Sequence, residues 1–174
     1  MKSHSIELSL DDRRLLGSWT ADCAGRVLKL FEAKAPSDSR PREAIAGIRV
    51  FARGGKRTVQ LRSVAVAALA AAREVDEPSA TAAARAAGFA ASTAYTKALS
   101  APHHAKHALG PAVYAALARE LAAADGRAGD REIRWAIAHA PAAVRKIVRR
   151  WPAQVMGRTR LSALYRKLDS GLRG

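Results

Sequence analysis

Apolar positions recur through the chain at steps of three and four, the repeat of one helical face turned toward a core. Leu15, Leu16, Trp19, Cys23, Val27, Leu30 and Phe31 form the first such stripe. They predict a helix from about Ser9 to Ala33, opened by Ser9 with Asp11 and Asp12 and closed by Pro36-Ser37-Asp38. Pro41 suits the first turn of a second helix, with Ile45, Ile48 and Phe51 inward and Gly54-Gly55 as its stop. A third helix is expected from Thr58 to Val75, and a fourth from Pro78 to about Leu99. Pro102 opens a fifth, with Leu109, Val113, Leu117 and Leu121 in line. Asp125-Gly126 and Gly129 then separate it from a short sixth helix over Arg131 to His139. Pro141 starts a seventh, with Val144, Ile147, Val148 and Trp151 as its buried face. The eighth is expected over Leu161 to Leu172.

Composition reinforces this reading. Between Ala65 and Ala143, 32 of 79 residues are alanine, which loses no side-chain freedom in a helix. Strand formers do not cluster, and Asp125-Gly126 falls between helical patterns rather than alternating runs. The expectation is an all-α chain: a compact bundle or array of seven to eight Ala-rich helices with short loops. Residues 10–174 would form one helical domain behind a flexible segment, 1–9. Small side chains allow close helix approach, so Trp19, Phe31, Phe51, Phe89, Tyr95, Tyr114, Trp135 and Trp151 are the few bulky anchors.

Charge adds a polarity to the chain. With 30 Lys and Arg against 15 Asp and Glu, the net charge is +15, which favours solubility and attraction to polyanions. Residues 143–174 hold nine Lys and Arg and one acid, Asp169. In that basic end Arg145, Lys146, Arg149, Arg150, Arg158 and Arg160 are the candidates for polyanion binding, against the plainer reading of a solvated face. A lone cysteine, Cys23, excludes an intrachain disulfide and a cysteine-based zinc site. That cysteine usage, no signal-like start and no apolar run of spanning length give the expectation of a cytoplasmic protein without membrane contact.

Titratable chemistry is concentrated at His103, His104 and His107. His103 and His107 are four apart, one face of a helix opened at Pro102, and are a weak candidate pair for a metal. No Asp, Glu or Cys lies beside them to complete a site, and Lys106 disfavours a dication, so no metal or cofactor is expected. Ala80 to Lys97, with Gly88-Phe89 and Ser92-Thr93, has the outline of a helix-turn-helix. Its proposed reading helix carries only Lys97 as a basic residue and no Arg, Asn or Gln for base edges. A single helix through Gly88 costs only about 1 kcal/mol relative to Ala. Arg53-Gly54-Gly55-Lys56-Arg57 lacks the spacing of a P-loop and reads equally well as a helix C-cap or a backbone phosphate cradle.

Four blocks follow one another in an order that resembles a known family. They are Asp22-Cys23-Ala24-Gly25-Arg26-Val27-Leu28 with Leu30-Phe31-Glu32, then Arg40 to Ile45, then Ala52 to Arg57, then Lys106 to Pro111 with Tyr114. Together they resemble the "immunity protein 5-like" group of bacterial polymorphic-toxin systems, over roughly residues 10 to 172. The resemblance implies an all-helical protein that neutralises a toxin by binding it. Carried over residue by residue, it implies that Asp22, Arg26, Glu32, Arg42, Arg53, Lys106, His107 and Tyr114, with His103 beside them, pair around one cleft. The family pattern has histidines in the fourth helix, where this chain has Phe89 and Tyr95.

Three functions remain open at this point: a non-catalytic, immunity-type binder that occludes a partner protein; a nucleic-acid binder using the basic end or the 80–97 segment; and a small enzyme or small-molecule binder with a pocket lined by His103, His107 and Tyr114. No segment spells out a catalytic mechanism, so an enzyme is not the favoured reading. An acidic or neutral partner suits the +15 charge better than the basic face of a nuclease.

Overall fold

The computed structural model describes residues 6–99, 102–153 and 157–174, with the side chains of 98, 99 and 102–106 outside that description. The chain is all-α, with nine α-helices among the described residues: α1 (Leu10–Gly25), α2 (Leu28–Glu32), α3 (Arg40–Ala52), α4 (Val59–Glu74), α5 (Pro78–Ser92), α6 (Pro102–Ala123), α7 (Gly126–His139), α8 (Ala142–Val148) and α9 (Arg160–Arg173). Among the described residues, strand structure is confined to Ile6–Glu7, which pairs antiparallel with Ala98–Leu99.

Three boundaries differ from the periodic pattern, each for a local reason. The first stripe predicts one helix to Ala33, but the chain breaks at Arg26 and Val27, where Val27 leaves helical geometry at φ −114° and ψ 0°. The fourth helix stops at Ser92 rather than Leu99. There the Ser92 hydroxyl donates to the Gly88 carbonyl at 2.9 Å and the Thr93 hydroxyl to Ala90 at 2.6 Å. Such back-bonding gives the backbone an alternative partner, and a single 3₁₀ turn over Thr93–Tyr95 follows. Conversely α7 starts at Gly126, five residues early, because the Asp125 carboxylate accepts from the Arg127 amide at 3.0 Å and caps it. The N-terminus of α1 is a full capping box, Ser9 and Asp12 each accepting from the other's backbone N–H.

α5 is the hub. It packs most extensively on α4 and α6 and also meets α1, α2 and α3. A helix with that many neighbours needs small residues on most of its sides, and ten of its fifteen residues are buried Ala, Gly or Ser. Gly88 lies inside it, at a point where an added Cβ would sit 2.6 Å from the Leu69 side chain on α4. The helix-turn-helix outline over 80–97 is therefore corrected: residues 78–92 are one continuous helix, and the glycine serves helix contact rather than a turn.

α1 is sandwiched between two apolar clusters. Ala21 and Ala24 join the alanines of α4 and α5 with Phe31, Ile48, Phe51 and Leu61. Leu16, Trp19 and Cys23 join Leu109, Val113, Ile133, Val144, Val148, Trp151, Leu164 and Leu168 of α6 to α9 and the turn after α8. Trp19 Nε1 crosses this second cluster to donate to the Ala136 carbonyl at 3.1 Å. Leu15 and Leu121, expected on buried stripes, are exposed at the ends of theirs.

Candidate functional site

The break after α1 has a consequence at the surface. It lets Arg26 leave the α1 axis and reach α7, where its Nε and Nη2 donate to the two carboxylate oxygens of Glu132 at 2.5 and 3.2 Å. Glu132 is buried, its side chain 7% exposed, and it also has Arg119 of α6 at 3.7 Å. A buried carboxylate is retained only when paired, and here two guanidiniums pair it. The hydrogen bonds it donates to Glu132 hold the Arg26 guanidinium above its ordinary pKa, against the opposing effect of burial. Arg119 also donates to the Arg26 carbonyl at 2.8 Å, so the turn itself is clamped.

So fixed, Arg26 lies 4.0 Å from the ring centroid of Trp135. Trp135 stacks in turn on His139 at 4.1 Å and 18°, and the His139 Nδ1 lies 2.9 Å from the Trp135 carbonyl. Asp22, Gly25 and Arg49 close the other side of an open groove of about 400 Å³. Asp22 accepts from Arg49 Nη1 at 2.7 Å. Glu132, Trp135 and His139 occupy one face of α7 by their i, i+3, i+7 spacing.

Among the described residues, the predicted site residues lie in separate places. Asp22 and Arg26 reach the groove. Arg42 instead forms a bidentate pair with Glu32, at 2.8 and 2.7 Å, between α3 and α2. Arg53 is the exposed C-cap residue of α3. Tyr114 stacks on Phe89 at 5.4 Å, and His107 meets the same Phe89 edge-on at 5.3 Å. Phe89 of α5 thus contacts both rings. The side chains of His103, His104 and Lys106 lie outside the described residues. Among the described residues, no group of three or more His, Cys, Asp and Glu gathers as metal ligands do. Arg49 and His139 of the groove, and the Glu132 that holds Arg26, carry no motif in the sequence; Trp135 is legible there only as a bulky anchor, and the α7 spacing is the usable signal.

The basic end is largely used internally. Arg145 donates to the carbonyls of Ile137 and Gly171 at 2.5 and 3.1 Å, and Arg149 to that of Arg173 at 3.1 Å. These close helix C-termini, as Arg side chains can. Arg150 binds Asp12 and the Glu7 carbonyl, both at 2.7 Å. Arg160 spans Glu120, Asp130 and the Gly126 carbonyl. Of the six polyanion candidates, only Lys146 and Arg158 stand exposed and outside any such bond among the described residues.

A family model described as "Imm-5 like putative immunity protein" matches residues 7–143. The chain belongs to that family. The match contains the whole groove and ends at the start of α8, so the Imm-5 like stretch includes α1 to α7 and excludes most of the basic end. Neither the curated proteins nor the solved structures contain a match to the chain. No described helix is long and apolar enough to cross a membrane.

Proposed function

We propose that this protein neutralises a partner protein by binding and occluding it, without turnover, and that the groove formed by Arg26, Trp135, His139, Asp22 and Arg49 is the centre of the contact. Membership of an immunity-protein family supports a protein partner. The observation that carries the choice of surface is Arg26 held over Trp135 by a buried carboxylate. Arg and Trp dominate binding energy at interfaces when they sit in concave, desolvated positions. A guanidinium whose rotamer is already locked loses little further freedom on binding. The exposed His139 ring and the Asp22–Arg49 pair add polar groups around that anchor.

The net charge of +15 suits an acidic or neutral partner face. Nucleic-acid binding by the basic end is the weaker reading, since four of its six candidate cations are engaged inside the fold.

Co-expression with the protein encoded beside its gene is the direct test. A stable 1:1 complex on gel filtration, with relief of that protein's toxicity, is expected. No complex and no relief would overturn the proposal.

A further inference from the structure

A second concave site lies away from the groove. Arg57, Arg62, Tyr95 and Lys97 enclose about 350 Å³ at the start of α4 and the end of the 3₁₀ turn. The guanidinium carbons of Arg57 and Arg62 lie 5.4 and 5.1 Å from the Tyr95 ring centroid, so both cations share one aromatic face-partner. The Tyr95 hydroxyl donates to the Thr58 carbonyl, which fixes the ring at the N-terminus of α4.

Most arginines of this chain reach a carboxylate or a carbonyl. Arg57, Arg62 and Lys97 differ: among the described residues none of their side chains takes part in an ion pair or hydrogen bond with another group. Like charge accumulates nearby. Burial and the neighbouring charges of Arg57 and Arg14 push the Arg13 guanidinium below its ordinary pKa. The positive end of the α4 dipole adds to the same field. Three cations around a hollow, without a counter-charge of their own, are a receptor for an anion.

We infer that this pocket receives carboxylate side chains of the partner protein, as a second, electrostatic contact in addition to the groove; the inference rests on the occlusion reading. A carboxylate fits the fork geometry of two guanidiniums. A nucleic-acid strand wants cations spaced along its phosphates. Here they converge on one hollow, while four of the six candidate cations of the basic end are engaged within the fold. The Leu61 amide at the α4 N-terminus, a natural phosphate donor, is already taken by Thr58 Oγ1 at 3.2 Å.

The test has two arms. In the first, ¹⁵N-labelled protein is titrated with hexaglutamate, inorganic phosphate and a 20-base-pair DNA duplex in parallel. Hexaglutamate is expected to shift the Arg57 and Arg62 Nε–H signals and the Tyr95 amide, with salt-sensitive affinity. The R57E/R62E double variant, changed only at exposed positions, is expected to keep the wild-type melting temperature and lose that affinity about tenfold or more. No shift, or tighter binding of phosphate or duplex at these residues, overturns the inference. In the second arm R57E/R62E is assayed in the 1:1 complex. Slower association and at least about tenfold weaker binding support it, and an unchanged complex overturns it. The first arm needs no partner, so its failure removes the pocket and leaves the groove standing. Failure to form any complex removes the groove reading by itself.

Discussion

Arg150 Nη1 lies 2.7 Å from the Asp12 carboxylate, joining residues 138 positions apart and tying the turn after α8 to the first turn of α1. Burial by itself would raise the Asp12 carboxyl. Hydrogen bonds from Arg150 and Ser9, with the Arg150 charge, outweigh it and hold the group below its usual range. Asp130, between Lys167 and Arg160, is lowered as well. Carboxylates lowered in the folded state contribute stability that is present above their unfolded pKa and is lost as pH falls through the folded one. Stability should therefore fall steeply below about pH 4. Urea melts at pH 7 and pH 3 should differ less for Asp12→Asn than for the native chain; an equal difference would remove Asp12 from the account.

Gly88→Ala should destabilise despite the better helix former. An added Cβ would meet Leu69 at 2.6 Å and the Ala65 carbonyl at 3.2 Å. Overpacking of this kind costs about 1–3 kcal/mol, against a gain near 1 kcal/mol in propensity. A lowered melting temperature is expected, and a raised one would show that α4 and α5 can separate cheaply.

Glu132→Gln keeps the shape but removes the charge that two arginines share. Arg26 and Arg119 are 35% and 41% exposed, so solvent compensates them in part. A loss of about 1–3 kcal/mol is expected in denaturant unfolding, below the full cost of breaking a deeply buried pair. The nearby groove should loosen too, seen as reduced quenching of Trp135 fluorescence.

Trp135→Ala separates binding from folding. Trp135 is half-buried, at the rim of its cluster, so the melting temperature should move little. Partner affinity should fall by more than about tenfold, the loss typical of an interfacial anchor. Full affinity in this variant would show that the contact lies elsewhere.

Arg160→Lys tests whether the basic end is a strut. Arg160 binds Glu120 with two nitrogens and Asp130 with one of them. A lysine cannot reproduce that fork, so a loss of about 1 kcal/mol is expected after allowing for its 37% exposure. Lys146→Ala, exposed and outside these bonds, should be neutral.

The helical class and most helix starts were legible because they are local. Pro41 and Pro78 sit in first turns, and Val144, Ile147, Val148 and Trp151 are buried as their spacing requires. The α1–α2 break was not legible, because the apolar stripe runs through Val27 and Phe31 without a fault. What breaks there is backbone geometry, clamped from α6 by Arg119 and from α7 by Glu132. The family blocks contain Asp22 and Arg26, which line the groove. That Glu32 closes on Arg42, and that His107 meets Phe89, depends on helix packing that the blocks do not encode.

Local chemistry alone determined that this chain is helical, alanine-packed and basic, since propensity and periodicity act within a few residues. Which cations became struts and which stayed outward was decided only in three dimensions. Arg145 and Lys146 are adjacent, yet one closes two helix ends and the other faces water. An arginine's role depends on the acceptor that folding brings within reach, and the Gly171 carbonyl that Arg145 meets stands 26 residues further along the chain.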